Sequence, residues 1–379
     1  MFIGFEAKRF FKNFTGLGNY SRFIITALSD YCPDNQHYLY TPTIRSHPEL
    51  DALLRRPNIR VVHPRGLYGR FGGSVWRTWG IGNEESVREL QIFHGLSQEL
   101  PISLPNTVKK VVTVHDLIFM RFPEFYSAID ARIYTAKVKY ACKHADRIVA
   151  ISNQTATDIV NFLGVDRSKI DIIYQGCHPS FKRMSTREEI EDLKSRYRLP
   201  ERYLLNVGTI EKRKNALLIV KSLLHIPETS RLPLVLVGKE TSYSNQIKAF
   251  VVKHRLEKWV TFLHNASFKD FPAIYQGAEV FIYPSLFEGF GIPIVEAIES
   301  RVPVITSSGT AFTEAAGPHA SYIDPADPEH LAAAIKRITD DNGLRKKMVT
   351  ESLLYAQRFQ PSVIAGELSR LYYSMTHAG

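Results

Sequence analysis

The sequence predicts an α/β protein built from two Rossmann-like domains. Three observations point there. The chain has 379 residues, beyond the size at which one hydrophobic core usually keeps growing. Short, β-branched, almost continuously apolar runs alternate with helical stretches, as in parallel sheets covered on both faces. The alternation breaks at a charged segment after residue 180 and then starts again. Expected domains are therefore 1–180 and 181–358, with a last helix over 359–379 packing back on the first. A composition of 44% hydrophobic and 23% charged residues places the chain among globular proteins.

In the first half, FIGFEA reads as a strand and YSRFIITALSDYC as a helix. HYLYTP, IRVVHP, QIFHG and KKVVTVHD follow as strands. DARIYTAKVKYACKHA is a long helix before the strand DRIVAIS, and QTATDIVNFLG a helix that stops at Gly164 before the strand KIDIIYQG. The charged stretch FKRMSTREEIEDLKSRYRLPE reads as a linker with a solvated helix. The pattern restarts with YLLNVGT (strand), NALLIVKSLLHI (helix), LPLVLVG (strand) and SYSNQIKAFVVKHRL (helix). It continues with WVTFLHNAS (strand), FPAIYQGA (helix), EVFIYPS (strand), PIVEAIES (helix) and VPVITSS (strand), and ends in mainly helical sequence.

Four strand ends carry chemistry. SLFEGFGI joins a buried strand to a helix with Pro293 expected at its first position. Gly289 and Gly291 admit close backbone approach, and the helix start offers amide donors to an anion such as phosphate. Glu288 lies in the loop and Glu296 one turn inside the helix, where it can accept hydrogen bonds from a vicinal diol such as a ribose. The second strand end is NVGTIEKRKNALL, where Lys212, Arg213 and Lys214 enter a helix that Asn215 is expected to cap. Three cations there suit a pyrophosphate. Third is FTGLGNYS, whose Gly16 and Gly18 read as a loop letting a ligand lie against backbone. It lacks the third glycine of a dinucleotide fingerprint. Last is VVTVHD, which puts His115, with Asp116, at the end of an apolar strand where a neutral imidazole could bond a sugar hydroxyl. Ser152 ends IVAIS in a similar position.

These residues together resemble the retaining GT-B glycosyltransferases of family four, the glycosyl transferases group 1, over nearly the whole chain. The Glu-x7-Glu pattern from Glu288 to Glu296 around Gly-Phe-Gly is the specific signature. The resemblance implies two Rossmann-like domains facing each other across a cleft, with a nucleotide-sugar donor bound mostly by the second domain and an acceptor by the first. It implies that Glu296 binds the nucleotide ribose, and that Glu288 with the amides of Gly289, Phe290, Gly291 and Ile292 holds the donor sugar and phosphate. Lys214 then binds the pyrophosphate and stabilises the leaving group. Gly16, Gly18, Gly208 and Thr209 line the donor, and His115 contacts the sugar. Many members carry Arg directly after the loop glycine. Here that position is Thr209, and Arg213 is expected to supply the second cation. The form GTIEKRKN is similar to bacterial O-antigen and capsule mannosyltransferases, which implies GDP-mannose; a UDP-sugar is the alternative donor. His264 and Asn265 are expected to border the base. The expected acceptor is a saccharide or a lipid-diphosphate-linked saccharide.

Net charge is +10, and more than half of the excess lies in the first 180 residues. A basic balance suits phosphate-bearing ligands or anionic membrane surfaces. Residues 63–80 mix Arg65, Arg70 and Arg77 with Tyr68, Phe71, Trp76 and Trp79. They read either as a site for the inner membrane face or a lipid-diphosphate acceptor, or as a surface loop with its aromatics packed underneath. No docking module for nucleic acid is recognisable, so none is expected as partner. No metal site and no cofactor are expected, for no DxD cluster stands at a strand end and Cys32, Cys142 and Cys177 have no CxxC spacing. A short apolar start without an h-region, and no run near the ~20 residues that span a bilayer, predict a cytoplasmic protein. A catalytically inactive nucleotide-sugar-binding protein is the alternative to an enzyme.

Overall fold

The structure is a computed structural model that describes all residues except 45–46, 65–71, 310 and 378–379. The chain forms two compact units, Met1–Gly176 with Arg358–Gly379, and Cys177–Gln357. The first holds seven parallel strands: β1 (Phe2–Glu6), β2 (Gln36–Tyr40), β3 (Ile59–Val62), β4 (Ile92–Gly95), β5 (Lys109–Val114), β6 (Arg147–Ala150) and β7 (Ile170–Ile172). Their order is β3-β2-β1-β4-β5-β6-β7. The second holds six: β8 (Leu204–Val207), β9 (Leu234–Val237), β10 (Val260–Leu263), β11 (Val280–Tyr283), β12 (Val304–Ser307) and β13 (Ser321–Ile323). Here the order is β10-β9-β8-β11-β12-β13. Counted from its own first strand, this second sheet has the dinucleotide-fold order 3-2-1-4-5-6.

Parallel strands buried on both faces need apolar side chains throughout, and these strands have them. Leu204, Leu234, Leu236, Val280, Ile282 and Ile305 are all fully buried and pack with Ile219, Val220, Leu331 and Ile335 from the covering helices. Each such side chain contributes about 1.5–3 kcal/mol on burial. In each sheet the direction of strand addition reverses once, between β1 and β4 and between β8 and β11. Helices diverge to opposite faces there and leave a crevice at the strands' carboxyl ends.

The last helix, Pro361–His377, belongs to the first unit. Its Tyr372 Oη meets His94 Nδ1 at 2.6 Å, and His94 Nε2 meets Thr113 Oγ1 at 2.8 Å. Tyr20 Oη lies 3.1 Å from the same threonine oxygen. Burial pulls the His94 pKa to about 3, so the ring stays neutral within this network.

Four local expectations change. Gly16 and Gly18 are not in a loop but in the first turn of the helix Gly16–Tyr31. A Cβ on Gly18 would lie 1.6 Å from the carbonyl oxygen of Asn13, so this glycine is needed for helix-to-loop packing, whereas Gly16 faces open space. Asn215 precedes the helix Ala216–Ser222 in a left-handed conformation and makes no side-chain cap bond. Its amide instead donates to the carbonyls of Pro284 and Pro325, at 3.1 and 2.8 Å, tying three loops together. Pro293 is the second residue of its helix, Ile292–Glu299. Ser152 caps the helix Asn153–Leu163, accepting from the Thr155 amide, which gives it a structural role.

Gly208 and Gly238, just past β8 and β9, have φ of +145° and +153°. A Cβ on Gly238 would sit 1.9 Å from the Gly208 carbonyl oxygen, because the two strand exits run together. Gly238→Ala is therefore expected to lose about 3 kcal/mol or more of stability, read as a lower urea midpoint. An unchanged midpoint would show that the exits can separate freely.

Candidate functional site

At the reversal between β8 and β11 the second unit holds a buried cluster of charged groups. The loop after β8 closes in a tight turn, Lys212–Lys214, and the loop after β11 runs from Pro284 to Gly291. The two are bonded along their backbones, the Leu286 amide donating to the Arg213 carbonyl at 2.8 Å. Of the three cations in the turn, Lys212 is exposed, while Arg213 and Lys214 point inward.

Both inward cations reach one carboxylate oxygen. Lys214 Nζ lies 2.6 Å and Arg213 Nη1 2.8 Å from Glu288 Oε1. Tyr283 Oη donates to the same oxygen at 3.1 Å, and Lys214 Nζ also donates to Tyr283 Oη at 2.5 Å. Arg213 is held further by the Phe287 carbonyl at 2.7 Å and by Glu211 at 2.6 Å. Glu288 is only 8% exposed. Burial alone would raise its pKa, but Lys214 and then Arg213 outweigh burial and hold it at about 2. Burial holds the Lys214 ammonium below its usual pKa, with Glu288 opposing. The Tyr283 hydroxyl is pushed well above its usual range by burial and by Glu288, so it keeps its proton.

Gly208 lies beside the lysine stem; a Cβ there would make only ordinary contact with Lys214 Cε at 3.8 Å, and it is the φ of +145° that favours glycine. Thr209 is exposed beside it. Gly289, Phe290 and Gly291 are buried in the β11 loop, and Gly291, at φ +102°, caps the helix Ile292–Glu299. Ile292 opens that helix, whose first-turn amides have no intrahelical acceptors. Glu296, one turn in, accepts from Tyr275 Oη at 2.9 Å. Burial pushes its pKa up to about 7, the tyrosine bond opposing.

Among the described residues, the other expected site residues take part in none of these bonds. His264 follows the edge strand β10 and pairs with Glu240 at 3.1 Å and with the Gly238 carbonyl at 3.2 Å; Asn265 is exposed. Among the described residues no hydrogen bond joins either to Lys214 or Glu288. His115, Gly16 and Gly18 belong to the first unit. His115 Nε2 donates to the Leu96 carbonyl at 2.8 Å, its ring stands edge-on to Tyr20, and burial lowers its pKa to about 4. It is a neutral imidazole.

In the segment 63–80, Arg65, Tyr68, Arg70 and Phe71 lie outside the described residues. Trp76 is packed and donates to Glu84 at 2.7 Å. Arg77 is clamped between Glu6, at 2.7 Å, and Glu99. Its charge is thus spent inside the fold, which fits the packed-loop reading of this segment and not the lipid-site one; Trp79 alone of the described aromatics there is strongly exposed, at 55%. No helix among the described residues is long and apolar enough to cross a membrane.

Known proteins resemble the chain in sequence and in fold. Residues 188–353 match the family Glycosyl transferases group 1, and residues 16–181 match Glycosyltransferase Family 4. The chain belongs to the glycosyl transferases of group 1. This glycosyltransferase is 27% identical to O-antigen chain mannosyltransferase B of Escherichia coli over 321 residues, 83% of this chain and 80% of that one. It is 30% identical to O-antigen chain mannosyltransferase RfbU of Salmonella typhimurium, over 62% of each chain. The crystal structure of Anabaena Alr3699/HepE in complex with UDP and glucose superposes with a TM-score of 0.73 at 18% identity, covering 99% of this chain and 100% of that one. That likeness shows the fold, two Rossmann-like domains of the GT-B class.

Sequence reasoning missed two members of the site, Tyr283 and Tyr275. Tyr283 was legible in part as the last residue of a strand at the sheet's carboxyl edge. Tyr275 lies on a separate short helix, Phe271–Gln276, and nothing in the pattern links it to Glu296.

Proposed function

We propose that this glycosyltransferase moves a mannosyl residue from GDP-mannose to a saccharide or lipid-diphosphate-linked saccharide, with retention of configuration, in cell-surface polysaccharide synthesis. The observation that carries the reading is the convergence of Arg213 and Lys214 on Glu288 at the β8–β11 reversal, beside a helix start. Breaking the sugar–phosphate bond builds negative charge on the diphosphate. Lys214, Arg213 and the amides around Gly291 are fixed in advance to receive it, each such donor contributing ~3 kcal/mol to the transition state. These cations are assigned the charge compensation that a metal performs elsewhere. Glu288 takes donor-sugar hydroxyls and Glu296 the ribose. Mannose is carried over from the mannosyltransferase relatives, and retention from the family resemblance, with the leaving phosphate helping to deprotonate the acceptor.

The test is a thermal-shift series with GDP-, UDP- and ADP-sugars. A ligand bound only by the folded state raises the melting temperature. GDP-mannose is expected to give the largest rise. A larger rise with a UDP-sugar would reassign the donor, and no rise with any of them would sink the reading.

A further inference from the structure

We propose that Tyr283 is a positioning residue, whose hydroxyl sets the lysine and glutamate of the transfer site at their working places. The inference rests on the donor-site reading above. Tyr283 is the last residue of β11 and is 1% exposed. Its ring stacks on Phe281 at 5.9 Å and meets Phe312 edge-on at 6.4 Å. Thr306 Oγ1 donates to its carbonyl at 2.8 Å. The hydroxyl is therefore anchored to the rigid sheet. Lys214, by contrast, projects from a three-residue turn on a stem of four rotatable bonds.

The bonds close a circuit. Lys214 Nζ donates to Tyr283 Oη, Tyr283 Oη donates to Glu288 Oε1, and Lys214 Nζ donates to that same oxygen. The ammonium also stands 4.9 Å from the tyrosine ring centroid. A lysine ammonium has three N–H bonds. Two are directed by this circuit, which aims the third in one direction, as a phosphate-binding donor requires. Phenylalanine would keep the ring and its packing but remove both the acceptor for Lys214 and one donor to Glu288. The lysine would then still bind charge without being aimed.

The experiment is a double-mutant cycle of Tyr283→Phe and Lys214→Ala, read as hydrolysis of GDP-mannose, or of whichever sugar nucleotide the thermal-shift series selects. Tyr283→Phe is expected to lower kcat by about 10- to 100-fold, the worth of a hydrogen bond to a charged group, with donor KM within about threefold. In the Lys214→Ala background the same change is expected to cost less than about threefold, because residues acting through one another are not additive. A melting temperature within about 3 °C of the unaltered protein separates positioning from damage to the core. Full activity of Tyr283→Phe, or an equal loss in both backgrounds, overturns the proposal. A Lys214→Ala variant with undiminished hydrolysis overturns the donor-site reading instead, and the proposal with it. If Tyr283→Phe melts early, the cycle is run at a temperature at which circular dichroism shows all four proteins folded, and additivity there overturns it equally.

Discussion

Replacing Lys214 with alanine is expected to lower turnover by roughly 100- to 1,000-fold, the loss typical of one preorganised donor to a developing charge. The ammonium lies at the switch point of the second sheet and is locked by two bonds of 2.5 and 2.6 Å. Water cannot take its place at equal strength, since water must reorient as charge develops and the lysine need not. The fold should survive. Glu288 keeps Arg213 Nη1 at 2.8 Å and Tyr283 Oη at 3.1 Å, so its buried charge is not orphaned. Single-turnover kinetics with the sugar nucleotide, alongside circular dichroism, measures both halves. A folded variant turning over at the unaltered rate would remove Lys214 from the chemistry.

The second large effect belongs to Glu296, and pH exposes it. Ribose hydroxyls donate best to an ionised carboxylate, yet burial keeps this one protonated up to about 7. On the proposed ribose-binding role of Glu296, nucleotide binding below that value expels a proton. Affinity for GDP should therefore climb by up to about tenfold per pH unit below 7 and level off above it. Glu296→Gln should bind about 10- to 100-fold more weakly at pH 8, the effect of a charge-assisted hydrogen bond, and should lose the slope. Stability moves the other way. A folded pKa raised from 4.5 to about 7 stabilises fully below 4.5, and that contribution disappears as pH rises through 7. At pH 8 the ionised group is a liability on the order of 3 kcal/mol, so Glu296→Gln should melt later there and about equally at pH 5. Calorimetric titration of GDP at pH 6, 7 and 8 decides it, and parallel pH slopes in both proteins would rule out the assignment.

Much of the site was legible because it is local. Glu288, Gly289, Gly291 and Glu296 fall within one strand-to-helix connection, whose proline and glycines announce a loop followed by a helix start. The basic turn was legible for the same reason, yet its three cations read as equals. Only Arg213 and Lys214 face inward, since Lys212 occupies the outer side of a single tight turn. The amino-terminal glycines, expected in a loop, lie in a helix turn, and at Gly18 close packing calls for the same residue that ligand approach would. Gly18 is there for the Asn13 carbonyl.

By itself the sequence determined the two runs of parallel strands, the strand ends on which polar residues collect, and the acid spacing from Glu288 to Glu296. Apolar run lengths and turn residues carry that information within a dozen positions, where the chain's own geometry decides the outcome. The tertiary structure alone decided that Lys214 meets Glu288, 74 positions away, with Tyr283 between them, and that Arg77 is consumed by Glu6 and Glu99. Those contacts depend on strand order, and strand order follows from how whole helices and sheets bury their apolar faces against one another. No local pattern encodes that sum.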